Sequence, residues 1–328
     1  MVGSWVAWDP AAKEERAVEY RQLGLAGVRV SAIGLGTNQF GGKVDQQGVN
    51  EIVATALEEG ITFIDTADVY QGGRSEEAIG VALKGRRHDV LLATKVASKS
   101  GEGPNDYGAS RYHILNAVEG SLRRLQTDYI DLYQIHRWDA TTPIEETLRV
   151  LDDLVRSGKV RYIGASNFAA WQLARANLLA ELRGWSPFVT IQPHYHMLER
   201  SIEHELIPYC SAYHVGIVPY FPLAGGFLTG KYRRGQAPPP GSRGESSPYV
   251  QRYMTDANYD KVERLTAWAQ ERGHTMGELA HAWLLAQPQV CSVISGATRP
   301  EQVRSNARAA AWHLTAEELA EVNAILDG

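Results

Sequence analysis

Four polar residues of complementary chemistry stand at or just after the ends of apolar runs in the first half of the sequence. The stretch FIDTADVY carries Asp65 and Tyr70, VLLATKV carries Lys95, and IDLYQIH ends on His136. A lysine ammonium beside a tyrosine hydroxyl lowers the pKa of the phenol, which favours proton donation near neutral pH. An aspartate would hold the lysine in place and charged, and a neutral histidine could hydrogen-bond a carbonyl oxygen. This set has no nucleophile of its own, which points to a cofactor that delivers a hydride.

Each of these residues, taken singly, also has an ordinary structural explanation: a turn cap, a solvated strand end, a packing aromatic or a satisfied core histidine. The second acid of FIDTADVY, Asp68, is predicted to be only a loop residue. The functional interpretation therefore requires a fold that brings the four residues together.

Such a fold is predicted by the alternation of short apolar runs with amphipathic segments, which is the pattern of βαβ units. Eight strands and eight helices over about 290 residues indicate a (β/α)₈ TIM barrel, because a doubly wound sheet usually has five or six strands. Before the first strand, YRQLGLAGVRVS predicts a β-hairpin that closes the barrel floor. The predicted strands are 32–37, 61–67, 90–96, 130–136, 162–167, 188–196, 216–223 and 291–297.

Two long connections rich in Gly, Pro and Ser follow strands of this series, at 98–111 and 225–254. Loops of this kind inside a domain are usually lids or binding loops. Both lie on the C-terminal face, where barrel enzymes carry their active sites. Residues 1–18 are predicted to be a flexible N-terminal extension, and 19–328 a single barrel domain.

Composition narrows the function classes. The formal net charge is −5 and the basic residues are dispersed, so we expect no nucleic-acid partner. The two cysteines, Cys210 and Cys291, are too few for a disulfide framework and suit a reducing compartment. There is no apolar run of about 18 residues and no signal-peptide pattern, which predicts a cytoplasmic protein without a membrane partner. The sequence leaves the oligomeric state open.

The sequence resembles the aldo-keto reductases from about residue 20 to 326. The resemblance is carried, in this order, by GLGTN, FIDTADVYQGGRSEEAIG, ATK, DLYQIHRWD, IGASNF, FPLAGGFLTGKY and GATRPEQVRSN. The connection GEGPNDYGASR is similar to a bacterial subgroup with broad aldehyde and ketone reduction, and the family also includes potassium channel beta subunits. The resemblance implies a catalytic tetrad of Asp65, Tyr70, Lys95 and His136, with Tyr70 as general acid or base.

The resemblance also implies an extended NADPH or NADP⁺ across the barrel mouth, without a G-x-G-x-x-G motif. Thr37, Asn38 and Asp65 would lie by the nicotinamide ribose; Ser166, Asn167 and Gln192 would hold the carboxamide; and Tyr220 would stack on the ring. The pyrophosphate would lie under Phe221, Pro222, Leu223, Gly225, Gly230 and Lys231, and the adenosine end by Gly296, Thr298, Arg299, Gln302 and Asn306. Lys231 and Arg299 near the 2′-phosphate favour NADPH over NADH. Phe221, Ser295 and Ser305 depart from the usual family residues, which leaves that selectivity open.

Phe40, Tyr107 and Trp138 are predicted to line the pocket for a small carbonyl substrate, mostly apolar, with Tyr249 and Tyr253 either joining them or packing within their own loop. No metal is predicted. Two alternatives remain: a regulatory protein that binds NADPH but turns over slowly, and a metal-dependent barrel hydrolase. The hydrolase would use the H-x-H of His194 and His196 with His136 and Asp65 as further ligands.

Overall fold

The hairpin at the start of the chain lies beneath the barrel. The computed structural model describes residues 18–328, so the predicted N-terminal extension lies outside the described residues except for Val18, which is buried. Strand β1 (Tyr20–Gln22) pairs antiparallel with β2 (Arg29–Ser31). Leu23 and Val30 pack with Phe63, the first residue of a barrel strand, in one apolar cluster. The predicted hairpin is confirmed.

Eight parallel strands form the barrel, in the order β10-β3-β4-β5-β6-β7-β8-β9. They are β3 (Ile33–Gly36), β4 (Phe63–Asp65), β5 (Leu91–Val96), β6 (Ile130–Ile135), β7 (Val160–Ser166), β8 (Phe188–Gln192), β9 (Gly216–Ile217) and β10 (Val293–Gly296). Parallel bridges from Ile217 to Val290 and from Tyr220 to Ile294 join the two ends of this order, β9 and β10, and so close the barrel. The predicted (β/α)₈ barrel is therefore confirmed.

Several strands are shorter than predicted. Strand β9 was expected to reach residue 223 but ends at Ile217, because Pro219 lacks an N–H for the ladder and Phe221 adopts a φ of 65°. Beyond it, Tyr220 retains only bridge contacts with its neighbours. The shortening frees the chain after β9 to turn across the barrel mouth.

Helices follow the strands and cover the outside of the sheet. In α4 (Ile144–Arg156), Ile144, Leu148 and Leu151 recur at helical spacing and are buried. The part of the chain that the structure describes has twelve α-helices rather than the eight predicted, because two short helices lie within the predicted 225–254 connection and the C-terminal part contains more. The others are α1 (Gln46–Glu58), α2 (Arg74–Ala82), α3 (Arg111–Leu125), α5 (Ala170–Arg183), α6 (Leu206–Tyr213), α7 (Arg243–Ser246), α8 (Pro248–Gln251), α9 (Asp256–Glu271), α10 (Met276–Leu285), α11 (Pro300–Ala309) and α12 (Ala316–Asp327).

The C-terminal ends of the barrel strands carry most of the polar residues singled out in the sequence. Asp65, Ser166 and Gln192 are the last residues of β4, β7 and β8, and Gly296, predicted at the adenosine end, is the last residue of β10. Parallel strands of a closed barrel end on one face, so these residues share one rim. No helix in residues 18–328 combines the length and hydropathy needed to cross a membrane.

Candidate active site

Lys95 is the central residue of the site. Its side chain is fully buried, and its Nζ donates to Asp65 Oδ2 at 2.6 Å and to the Thr66 carbonyl oxygen at 2.8 Å. The Tyr70 hydroxyl lies 3.4 Å from the same nitrogen. Burial disfavours the ammonium, but Asp65 and Tyr70 outweigh this effect and raise the Lys95 pKa. Lys95 is therefore a fixed positive charge beside a phenol.

Asp65 is held by two amides as well as by Lys95. Gln134 Nε2 and Gln192 Nε2 donate to Asp65 Oδ1 at 3.1 Å and 2.9 Å. Gln134 was not predicted, although it lies two residues before His136 on β6 and so faces the same side of the strand. The carboxylate that orients Lys95 is thus itself held from β6 and β8.

Tyr70 is half-buried at the start of a 3₁₀ turn, Tyr70–Gly73. Burial raises the Tyr70 pKa above its ordinary value of 10.0, and the opposing effect of Lys95 is smaller. The predicted lowering by Lys95 is thus present, but the net direction is the reverse of that prediction. Tyr70 is a neutral phenol at neutral pH, which is the form that can donate a proton.

His136 follows β6 and faces Tyr70, with ring centroids 5.9 Å apart at 76°. Burial, together with the charges of Lys95 and Arg137, lowers the His136 pKa to about 3. Its Nδ1 is buried and has no hydrogen-bond partner among residues 18–328. The histidine is therefore neutral at neutral pH and retains a ring nitrogen that the protein does not satisfy.

Asp68 lies in the loop after β4, as predicted, but it is buried there. Both of its carboxyl oxygens lack a partner among the described residues. Burial and the nearby Glu76 raise the Asp68 pKa to about 7. Glu76 is fully buried but satisfied, since Thr94 and Arg124 donate to its two oxygens.

The three residues predicted to hold the carboxamide lie together with Tyr220. Ser166 donates to the Gln192 carbonyl oxygen at 2.8 Å, and Asn167 Nδ2 donates to Ser166 Oγ at 3.0 Å. The Tyr220 hydroxyl donates to Asn167 Oδ1 at 3.0 Å. Asn167 adopts a left-handed backbone conformation, with a φ of 55°. One network thus joins β7, β8 and the chain after β9.

The residues predicted beside the ribose lie at the end of β3. Thr37 is buried and donates to the Asp65 carbonyl oxygen at 2.9 Å, whereas Asn38 is exposed.

The chain after Tyr220 has repeated left-handed backbone conformations. Ala224, Gly225 and Gly226 follow one another with φ values of 47°, 67° and 98°, and Phe221 and Gly230 have φ values of 65° and 72°. Successive residues of this kind can direct backbone N–H groups toward an anion. The other residues predicted beside the pyrophosphate are Pro222, which is buried, Leu223, which is half-buried, and Lys231, which is exposed.

The predicted adenosine end lies between β10 and α11. Gln302 Oε1 accepts from the Thr298 backbone N–H at 2.8 Å, and Asn306 is buried. Arg299 caps α11 and is exposed, 3.9 Å from Glu301. Gly296 is exposed.

The predicted pocket residues occupy three different environments. Phe40 is fully buried in the core, so no part of it is open to a ligand in this structure. Trp138 is half-buried against Phe168, and Tyr107 is 48% exposed. Tyr249 is exposed and contacts His194, while Tyr253 is buried against His196.

His194 and His196 do not meet the other predicted metal ligands. Their Nε2 atoms lie 3.0 Å apart, while the Asp65 carboxylate is occupied by Lys95 and the two amides. Residues 18–328 contain no group of three or more His, Cys, Asp or Glu that could hold a metal ion. The geometry thus gives the hydrolase alternative no ligand set.

Comparison with known proteins places this geometry in a family. The model of the aldo/keto reductase family matches residues 32–327. An uncharacterized oxidoreductase, YrpG, of Bacillus subtilis is 40% identical over 323 residues, covering 95% of this chain and 97% of the relative. A probable voltage-gated potassium channel subunit beta of rice, Oryza sativa subsp. japonica, is 38% identical over 89% of this chain and 91% of its own. The versiconal hemiacetal acetate reductase of Aspergillus parasiticus is 34% identical over 92% and 95%. The chain belongs to the aldo/keto reductase family.

Proposed function

We propose that the protein is an NADPH-dependent reductase of aldehydes or ketones, working reversibly, with Tyr70 as the general acid or base. The observation that carries the proposal is Lys95 Nζ, which lies 2.6 Å from Asp65 and 3.4 Å from the Tyr70 hydroxyl. This contact joins a neutral phenol to a buried cation, so the negative charge that develops on Tyr70 during proton transfer is stabilised where it forms.

The remaining polar groups suit a carbonyl substrate. The unsatisfied Nδ1 of His136 is buried at the edge of Tyr70, where a donor could orient the carbonyl oxygen. For that, Nδ1 must carry the proton of the neutral ring. Asp65 keeps Lys95 charged and in place, and Gln134 and Gln192 keep Asp65 in place. A bound reduced nicotinamide would supply the hydride, which the side chains of the site cannot.

The residues at the barrel mouth fit such a cofactor. Tyr220 offers an aromatic ring beside the amide of Asn167, and the left-handed residues from Phe221 to Gly230 suit a pyrophosphate. Lys231 and Arg299 are both exposed cations, which favours the 2′-phosphate of NADPH over NADH. The named reductase relative supports small-molecule reduction as the activity of this chain.

A regulatory protein with slow turnover is the second candidate, because the rice relative is named as a probable channel subunit beta. The two functions share the cofactor site and differ in the rate at which a carbonyl substrate is turned over. Steady turnover of NADPH with a panel of aldehydes and ketones favours the reductase. NADPH binding without measurable turnover across that panel favours the regulatory protein.

The test of the mechanism is Tyr70→Phe. It should abolish carbonyl reduction, read by NADPH absorbance, while NADPH still binds, read by fluorescence titration, because it removes the proton donor and leaves the cofactor residues. Tyr112→Phe, on a tyrosine that is 64% exposed, is the matched control and should behave as wild type. A Tyr70→Phe protein with near wild-type kcat would contradict the mechanism.

Two further points are part of the proposal. We take residues 19–328 as one barrel domain, because the helices and strands of the barrel run through this range. We also propose a cytoplasmic location, supported by Cys210 and Cys291, which are both buried and free.

A further inference from the structure

The H-x-H of His194 and His196 is the sequence motif that the proposed reaction does not use. Both rings lie at the barrel mouth, and burial lowers both pKa values, that of His194 to about 4. They are therefore neutral and can form hydrogen bonds as donor and acceptor. The contacts of His194 indicate the role of this motif.

His194 stacks on Tyr220. The two rings are 5.3 Å apart between centroids and nearly parallel, at 14°. The backbone places them side by side, because Tyr220 N donates to the Pro193 carbonyl oxygen at 3.1 Å and residues 194 and 220 form a parallel bridge. The Tyr220 hydroxyl is fixed separately by Asn167. His194 and Asn167 together determine the plane of the Tyr220 ring.

His194 also contacts the long connection that follows β9. The Tyr249 hydroxyl, on α8, lies 3.1 Å from each His194 ring nitrogen, and the ring centroids are 5.6 Å apart. Since Nε2 also faces His196 at 3.0 Å, Nδ1 is the nitrogen free to bond Tyr249. His194 therefore lies between Tyr220 and a residue that is 29 positions later in the chain.

We propose that His194 is a positioning residue that holds the Tyr220 ring for the nicotinamide and couples that ring to α8 through Tyr249. The proposal rests on the proposed function, in which Tyr220 stacks on the cofactor. An aromatic ring has two faces, and His194 supports one of them while the cofactor takes the other. When the Tyr249 contact is formed, the chain over the mouth and the stacking ring move as one unit, so cofactor release requires the contact to break.

The experiment measures cofactor binding and release, independently of turnover. Equilibrium titration of NADPH fluorescence gives Kd, and stopped-flow displacement gives the release rate. His194→Ala removes both the stack and the hydrogen bond and should raise Kd about tenfold. His194→Phe keeps a ring and should leave Kd within about threefold of wild type. Tyr249→Phe should speed release about threefold to tenfold, since it removes only the hydroxyl.

The coupling is tested by the double variant. If Tyr249 acts through His194, the double variant should release NADPH at the same rate as His194→Ala alone. If the two contacts are independent, the double variant should release NADPH faster than either single variant. Tyr213→Phe, on an exposed tyrosine of α6, is the control for a lost hydroxyl and should match wild type.

The outcomes separate the two proposals. Wild-type protein that does not bind NADPH overturns the proposed function and this inference with it. Wild-type binding with an unchanged Kd and release rate in His194→Ala overturns the inference alone, and additive effects in the double variant overturn the coupling. If His194→Ala does not fold, Tyr249→Phe decides, because Tyr249 is on the surface: faster release supports the inference and an unchanged rate overturns it.

Discussion

Asp68→Asn tests the least expected feature of the site, a buried carboxyl group without a partner. Asp68 lies between Asp65 and Tyr70 in sequence, and its backbone N–H donates to the Lys95 carbonyl oxygen. Neither of its carboxyl oxygens has a partner among residues 18–328. Asparagine has nearly the same shape and cannot ionise. We expect the substitution to stabilise the folded protein at alkaline pH.

The magnitude follows from the pKa of Asp68. Burial, with the Glu76 charge, raises it from 3.8 to about 7 in the folded protein, and Arg124 and Lys95 oppose this only in part. In the unfolded chain the Asp68 carboxyl group therefore loses its proton near pH 4, whereas in the folded protein it keeps this proton until about pH 7. Because the folded state binds the extra proton in this window, the free energy of unfolding falls as pH rises through it. A pKa difference of this size corresponds to about 4 kcal/mol.

Urea unfolding of wild type and Asp68→Asn at a series of pH values measures this directly. The difference in the free energy of unfolding between the two proteins should grow in favour of the variant by about 4 kcal/mol from pH 4 to pH 8. Asp128→Asn, on an exposed aspartate, should show no such trend. A difference that stays constant from pH 4 to pH 8 would mean that Asp68 is solvated or paired in solution and that its pKa is not raised by burial.

Two further predictions concern the tetrad. Lys95→Met should lower kcat as severely as Tyr70→Phe, measured in single turnovers. It should also lower the free energy of unfolding in urea by about 3–5 kcal/mol, because it leaves the Asp65 carboxylate buried without its cation. A Lys95→Met variant with normal kcat would contradict the role of Lys95. Because the His136 pKa lies at about 3, His136 stays neutral above it. In the Asp68→Asn background, reductive kcat should therefore be flat from about pH 5 to 8 and fall only at alkaline pH as Tyr70 loses its proton. A fall centred near pH 6.5 would show that His136 titrates normally and would contradict the assignment.

The fold could be predicted because the strand pattern is local. Runs such as LLATKV and IDLYQI are buried on both faces and recur at regular spacing, which is typical of a parallel barrel. The ends of the strands could not be predicted as well, because β9 is ended by Pro219 and by the left-handed Phe221 rather than by any loss of apolar character in the sequence.

The site was predictable as far as it consists of strand ends. Lys95 and Asp65 meet because β4 and β5 are neighbouring parallel strands and Asp65 pairs with Ala93, two residues before Lys95 on the same face of β5. The contacts between distant segments were not predictable: Tyr249 reaches His194 across 55 positions, and no spacing in the sequence indicates it. The burial of Asp68 was missed for a related reason. Acids are rarely fully buried, and the charged neighbours that act on this one, Glu76, Arg124 and Lys95, come from three separate elements of the chain.

Backbone strain supports the location of the site independently of its side chains. Seven residues other than glycine have positive φ in residues 18–328. Two of them, Gln126 and His214, end helices, where a left-handed residue is ordinary. The other five follow Tyr70, β5, β7 and the end of β9, and they are Gln71, Ala97, Asn167, Phe221 and Ala224. A left-handed conformation at such residues costs on the order of 1–3 kcal/mol and persists only where the surroundings enforce it. Because all five lie at the barrel mouth, the strain is concentrated where Tyr70, Lys95 and Tyr220 must be held in position.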